Sequence, residues 1–182
     1  MTQSSASPIA LAPADILYRI LSGRMPQLDS FTRLGAHIGA YFDRTWSGHP
    51  EFEAVWLRVL GEEWSGFDNV GVFQPLLMRI LPALGPVREM MSAKENRAYD
   101  ALPEVLTVYR GCGPNNIDGM CWTMDRSIAE CIIKDARYWQ AEPLLITAEV
   151  ARSDVLALKL DRKESEVLSF QARIMRRDRL LA

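Results

Sequence analysis

The sequence predicts an α+β protein, with a helical lobe through residue 101 and strands from residue 102 onward. Three observations carry that expectation. Apolar residues recur at helical spacing in the first part of the chain. Short runs rich in β-branched residues begin at Val105. Hydrophobic residues make up 48% of the 182 residues, enough to fill a sizeable core. Helices first and strands later fit segregated elements better than a doubly wound parallel sheet.

The elements follow in order. Residues 1–13 are Ser/Ala/Pro-rich and read as a disordered tail; they lack the basic and apolar regions of a signal peptide. The lobe spans residues 14–101. In it, residues 15–21 place apolar side chains at i, i+1, i+4 and i+5, with Gly23 as a stop. Phe31, Leu34, Ile38 and Tyr41 form one stripe after the Asp29-Ser30 cap signal. Phe52, Val55, Trp56, Val59 and Leu60 form the next, between Pro50 and Gly61. A fourth segment, 76–81, ends at Pro82, and a fifth begins near Pro86 and runs through Met90 and Met91 towards Tyr99. Trp46, Trp56 and Trp64 read as packing.

In the second part, residues 102–182, the first strand covers 105–110 and closes in a turn-rich stretch from Gly111 to Gly119. A second strand covers 120–123. Asp125 then caps a helix carrying Ile128, Ala129, Ile132, Ile133 and Ala136. Strands at 144–150, 155–160 and 167–174 complete the set. In the last, Leu168, Phe170, Ala172 and Ile174 alternate with Ser169, Gln171 and Arg173, which predicts one buried and one wet face.

Composition narrows the classes. Lys+Arg 21 against Asp+Glu 23 gives a net charge of −2, so no global attraction to nucleic acid or anionic membrane arises. Arg173, Arg176, Arg177 and Arg179 form a local basic cluster, read as a solvated end or as a contact for an acidic or nucleic-acid partner. Three cysteines without a C-x-x-C pair and two histidines give no zinc signature and no disulfide framework. The cysteines read as small buried hydrophobes, with Cys112 in an accessible loop. No apolar run approaches the roughly 20 residues that span a bilayer. The expectation is a cytoplasmic protein, or one delivered into a target cell by a route that uses no cleaved signal.

Three motifs carry chemistry: Tyr109-Arg110-Gly111, Cys121-Trp122-Thr123 and Glu164-Ser165-Glu166. Each alone has a plain structural reading, as a surface charge, a strand or a solvated edge. The Gly111-x-Gly113 pair is a turn, since no Lys-Ser/Thr follows it. Their order is more telling: strand-Arg-Gly, strand with a small nucleophilic side chain before Trp-Thr, a helix after Asp125-Arg126, then E-x-E opening a strand. Over roughly residues 103–175 this resembles the ADP-ribosyltransferase superfamily, in its Arg–Ser–Glu class of cholera-type and clostridial binary toxins. Short phage and bacterial members share the pattern. Cys121 departs from it, because the family's middle motif begins with Ser and a thiol is the weaker hydrogen-bonding group. Thr123 fits that motif's other hydroxyl position.

The resemblance implies a split β-sandwich that binds NAD, with no metal. Nicotinamide leaves and ADP-ribose passes to a macromolecular acceptor, protein (arginine) first and nucleic acid second, as in a toxin-like bacterial or phage effector. Breaking the nicotinamide–ribose bond develops positive charge on the ribose. By resemblance Glu166 stabilises that charge through the 2′-hydroxyl, and Glu164 orients or deprotonates the acceptor. Arg110 pairs with phosphate or braces the site. Gly111 offers its backbone to the nicotinamide, with Cys121, Trp122 and Thr123 completing the NAD pocket. Trp122 reads first as core, and Tyr109 as packing on the face opposite Arg110. Water as acceptor would give an NAD glycohydrolase. An inert protein-binding module of the same fold is the reading outside enzymology.

Overall fold

The computed structural model describes residues 18–19, 21–23, 28–43, 51–68, 70–135, 142–160 and 165–179. Trp46 and the expected tail lie outside them.

Among the described residues, five helices lie between Ser30 and Lys134, and residues 18–19 and 21–23 are helical as well. Helix α1, Ser30–Phe42, starts where the Asp29 carboxylate accepts from the Thr32 amide at 3.0 Å, and it buries Leu34, His37 and Ile38. Helix α2, Phe52–Glu63, buries Phe52, Val55, Trp56, Val59 and Leu60, and the Trp56 indole donates to the His37 carbonyl at 2.8 Å. Gly61 does not stop it. A Cβ there would lie 2.0 Å from the Met90 carbonyl, so this glycine permits close approach of two backbones. Helix α3, Val70–Leu84, holds both Pro75 and Pro82 inside it and ends at Gly85, whose φ is +73°. Burial of Leu77, Ile80 and Leu81 outweighs the hydrogen bonds the prolines forgo.

The segment after Pro86 is a 3-10 turn at Arg88–Met90 followed by helix α4, Ala93–Asp100. Its start is a capping box between Ser92 and Glu95. Helix α5, Arg126–Lys134, is capped by Asp125, which accepts from the Ser127 amide at 2.8 Å.

Among the described residues there are six strands: β1 Val105–Cys112, β2 Cys121–Thr123, β3 Leu144–Ala151, β4 Ala157–Lys159, β5 Glu166–Leu168 and β6 Arg173–Arg179, with α5 between β2 and β3. They form one sheet in the order β4-β5-β2-β1-β3-β6, antiparallel throughout. β1 pairs with β3 from Val105↔Ala151 to Cys112↔Leu144, but with β2 at Tyr109↔Thr123 alone. The sheet is therefore two three-stranded halves joined at one pair. The protein is α+β, with lobe and sheet sharing one apolar core from Leu34 and Trp56 through Met90 and Tyr99 to Leu158 and Val167. No described helix is long and apolar enough to cross a membrane.

Two expectations about strands need correction. Gly111 and Cys112 belong to β1 and not to the following turn, so Cys112 is buried; Cys131 is the exposed cysteine. Residues 167–174 are not one strand. Ser169 turns the chain, its hydroxyl accepting from the Gln171 amide at 3.1 Å while its amide donates to Met120 at 3.0 Å. Ser169 is buried, against the alternation, because the chain there leaves β5 for the far edge strand β6. The arginines of β6 are exposed; Arg173 pairs with Glu149, and Arg176 with Asp178 at 2.7 Å.

Lobe and sheet are tied by Glu95. Its buried carboxylate accepts from the Ser92 amide (2.7 Å), the Leu160 amide (2.8 Å) and the Lys159 ammonium (3.0 Å). Burial pushes its pKa up, and these donors more than reverse that, leaving it below its ordinary value.

Two outcomes are expected from this packing. Gly61→Ala should lower the unfolding free energy by about 1–3 kcal/mol, because backbone must move to admit the methyl group. A denaturant midpoint equal to wild type would refute the close contact. His37 supplies the second. Burial holds its imidazole below the ordinary pKa, against the pull of Glu63 at 3.3 Å. The unfolded chain then binds the proton more readily. Stability is full above about pH 6.5 and falls as pH drops below it. In His37→Gln that loss between pH 7 and pH 5 should shrink, as thermal melts across the range would register.

Candidate active site

Beyond the Tyr109↔Thr123 pair, β1 and β2 diverge and a cavity of about 280 Å³ opens. Arg110, Cys121, Thr123, Lys159 and Glu166 line it from the sheet, with Phe67 and Gln74 from the lobe. Gln74 also clamps the loop before β2: its amide donates to the Asp118 carbonyl (2.7 Å) and its oxygen accepts from the Met120 amide (3.1 Å).

Arg110 spans the gap between the two strands. Nε donates to the Asn116 carbonyl at 3.1 Å, Nη2 to Asn116 Oδ1 at 2.9 Å, and Nη1 to the Cys121 carbonyl. A guanidinium carries five N–H groups; three go to these oxygens, and a further side-chain contact runs to the Cys112 thiol. The guanidinium packs closely on Gly119, where a Cβ would fall 1.9 Å from Nη2. Bracing is thus its visible role.

Gly111 faces helix α5 at close range. A Cβ on it would sit 2.2 Å from the Ala129 carbonyl, so the missing side chain first serves helix–strand packing.

Glu166 opens β5, with Thr123 of β2 on one side and Lys159 of β4 on the other. The Cys121 thiol hydrogen-bonds to the Glu166 carboxylate. Burial foremost, then the Glu166 charge, push the thiol pKa well above its ordinary value, with Arg110 opposing. The sulfur therefore stays protonated and acts as a donor. The Thr123 hydroxyl accepts from the Asp125 amide at 3.1 Å, which leaves its O–H to donate elsewhere. Trp122 is buried and alternates with Cys121 and Thr123 along β2, yet it too lines the cavity, and its Nε1 has no partner among the described residues. Glu164 lies outside the described residues.

Sequence reasoning missed Lys159, Gln74, Phe67 and the half-buried Tyr109 as cavity residues. A lysine inside the apolar run 155–160 was the available signal for Lys159. The lobe residues had none, since their place depends on how the lobe docks. Among the described residues no group of three or more His, Cys, Asp or Glu side chains could hold a metal ion.

Comparison of the chain with family models, with curated proteins and with solved structures finds no match.

The bracing by Arg110 has a direct test. A lysine cannot reach both Asn116 and the Cys121 carbonyl, so Arg110→Lys should lose about 1.5 kcal/mol or more of stability, the scale of a charge-assisted hydrogen bond. Gly119→Ala, which displaces the same guanidinium, should lose a similar amount. Unchanged urea midpoints in both would reject the brace.

Proposed function

We propose that the chain is an NAD-dependent ADP-ribosyltransferase that moves ADP-ribose to a macromolecular acceptor and releases nicotinamide. One observation carries this reading: Arg110, Cys121 and Glu166, far apart in sequence, meet in one cleft where the sheet divides. Two three-stranded halves diverging at that point support the split sandwich that the resemblance implies.

The chemistry suits these groups. The bond between ribose C1′ and the nicotinamide nitrogen breaks, and its electron pair neutralises the pyridinium, so the leaving group needs no proton. Positive charge grows on the ribose and calls for a fixed carboxylate. Glu166 is that carboxylate, hydrogen-bonded by Cys121. The thiol does here what the family's serine would do, as a weaker donor. The acceptor then bonds to C1′ and gives up its proton. Glu164 is assigned to orient that acceptor. Arg110 holds the cleft's two walls together, and its fixed positive charge suits a phosphate oxygen. Gly111, on β1 past the last β2 pair, is assigned to the nicotinamide carboxamide through its backbone.

The test is incubation of cell lysate with labelled NAD, followed by nuclease and protease digestion. Protease-sensitive label supports transfer to protein, and nuclease-sensitive label supports transfer to nucleic acid. Free ADP-ribose with no labelled polymer means that water is the acceptor. NAD left whole in every arm would reject the reading. Glu166→Gln keeps shape but not charge, and nicotinamide release should fall on the order of 10²-fold or more.

A further inference from the structure

Lys159 ends β4 directly across from Glu166. Opposed residues of antiparallel strands share a face, with Cβ atoms about 4.5–5.5 Å apart. Both residues line the same cavity. The Lys159 side chain is 5% exposed, and its ammonium donates to Glu95 at 3.0 Å and to the Met90 carbonyl at 3.3 Å. These contacts come from the lobe side and hold the ammonium from behind.

Folding alone does not call for a charge here. The α4 capping box and the Leu160 amide already engage Glu95, and a neutral pair of similar volume would avoid the cost of burying two ions. What the charge adds lies on the cavity side. Glu95 and Glu166 bring two carboxylates to this end of β4 and β5, and Lys159 stands beside both. An ammonium one strand spacing away attracts the Glu166 carboxylate and limits where it can point.

We propose that Lys159 is a positioning residue for Glu166: anchored by Glu95 and Met90, it fixes the place of the Glu166 carboxylate in the cleft and offsets its charge. The proposal rests on the NAD-cleaving reading above. It makes the rate of cleavage, and not the hold on the dinucleotide, depend on Lys159. It also makes the helical lobe part of the reaction centre, since Glu95 and Met90 belong to the lobe.

The test compares wild type with Lys159→Met and with the double variant Glu95→Gln/Lys159→Met, each by thermal melt and by steady-state nicotinamide release. Lys159→Met leaves the Glu95 charge unpaired and should melt earlier. The double variant removes both charges and should recover most of the melting temperature. Its kcat should nevertheless stay low, on the order of 10- to 100-fold below wild type, with KM for NAD within about twofold. Recovery of both melting temperature and kcat would overturn the proposal while leaving the NAD reading intact. No nicotinamide from wild type would overturn both. If the double variant does not fold, Lys159→Arg replaces it. That charge-retaining variant should keep kcat within about tenfold of wild type, and a larger loss in a protein that melts normally overturns the role.

Discussion

The carboxylate of Glu95 is taken out of water where the helical lobe meets strand β4, and much of the architecture is arranged around keeping it satisfied. A buried charge is tolerated when several donors converge on it. Here they come from three places: the N-cap of α4, the amide of Leu160 just past β4, and the ammonium of Lys159 within β4. Because the donors belong to different elements, α4 cannot shift along the sheet without stranding at least one of them. The Tyr99 hydroxyl, donating to the Arg152 and Val155 carbonyls, and the Val87 amide, donating to the Leu156 carbonyl, hold the same seam on either side. With the seam fixed, Phe67 and Gln74 face the sheet at a set distance, and the cavity has a roof.

The opposite wall has a different problem. A sheet that parts after one pair gives up ladder hydrogen bonds between β1 and β2. Arg110 supplies part of what is missing, reaching from β1 to the Cys121 carbonyl of β2 and to Asn116 in the connecting loop. A side chain thus bridges where backbone no longer does. It does so with a fixed, planar set of donors, which holds the two edges apart as well as together. Gly119 and Gly111 are the complements of that arrangement, one clearing room for the guanidinium and the other for α5.

Much of this was legible in the sequence where a local signal and a global need agree. Asp29 and Asp125 read as caps and are caps. The apolar stripe from Phe52 to Leu60 is buried as its spacing requires. Legibility failed where tertiary packing overrides local rules. Gly61 and Pro82 look like helix stops, yet burial of their neighbours carries the helices past them. The Ser92-x-x-Glu95 box was present in the sequence and goes unread when Pro86 is taken as the helix start. The alternation over 168–174 hides a crossing between sheet halves, because a period of two does not say which partner a strand will take. For the cavity, motif order pointed to Arg110, Cys121 and Glu166. The Lys159 and Gln74 contributions come from strand register and lobe docking, neither of which has a motif.

The raised pKa of Cys121 bears on how the cleft ages. Sulfur in an open cleft is ordinarily a point of weakness, since thiolates are readily alkylated and climb the oxidation ladder through sulfenic acid. Here burial, and after it the charge of Glu166, disfavour the thiolate form. Of the three cysteines, the exposed Cys131 on α5 is the one that such reagents would meet first.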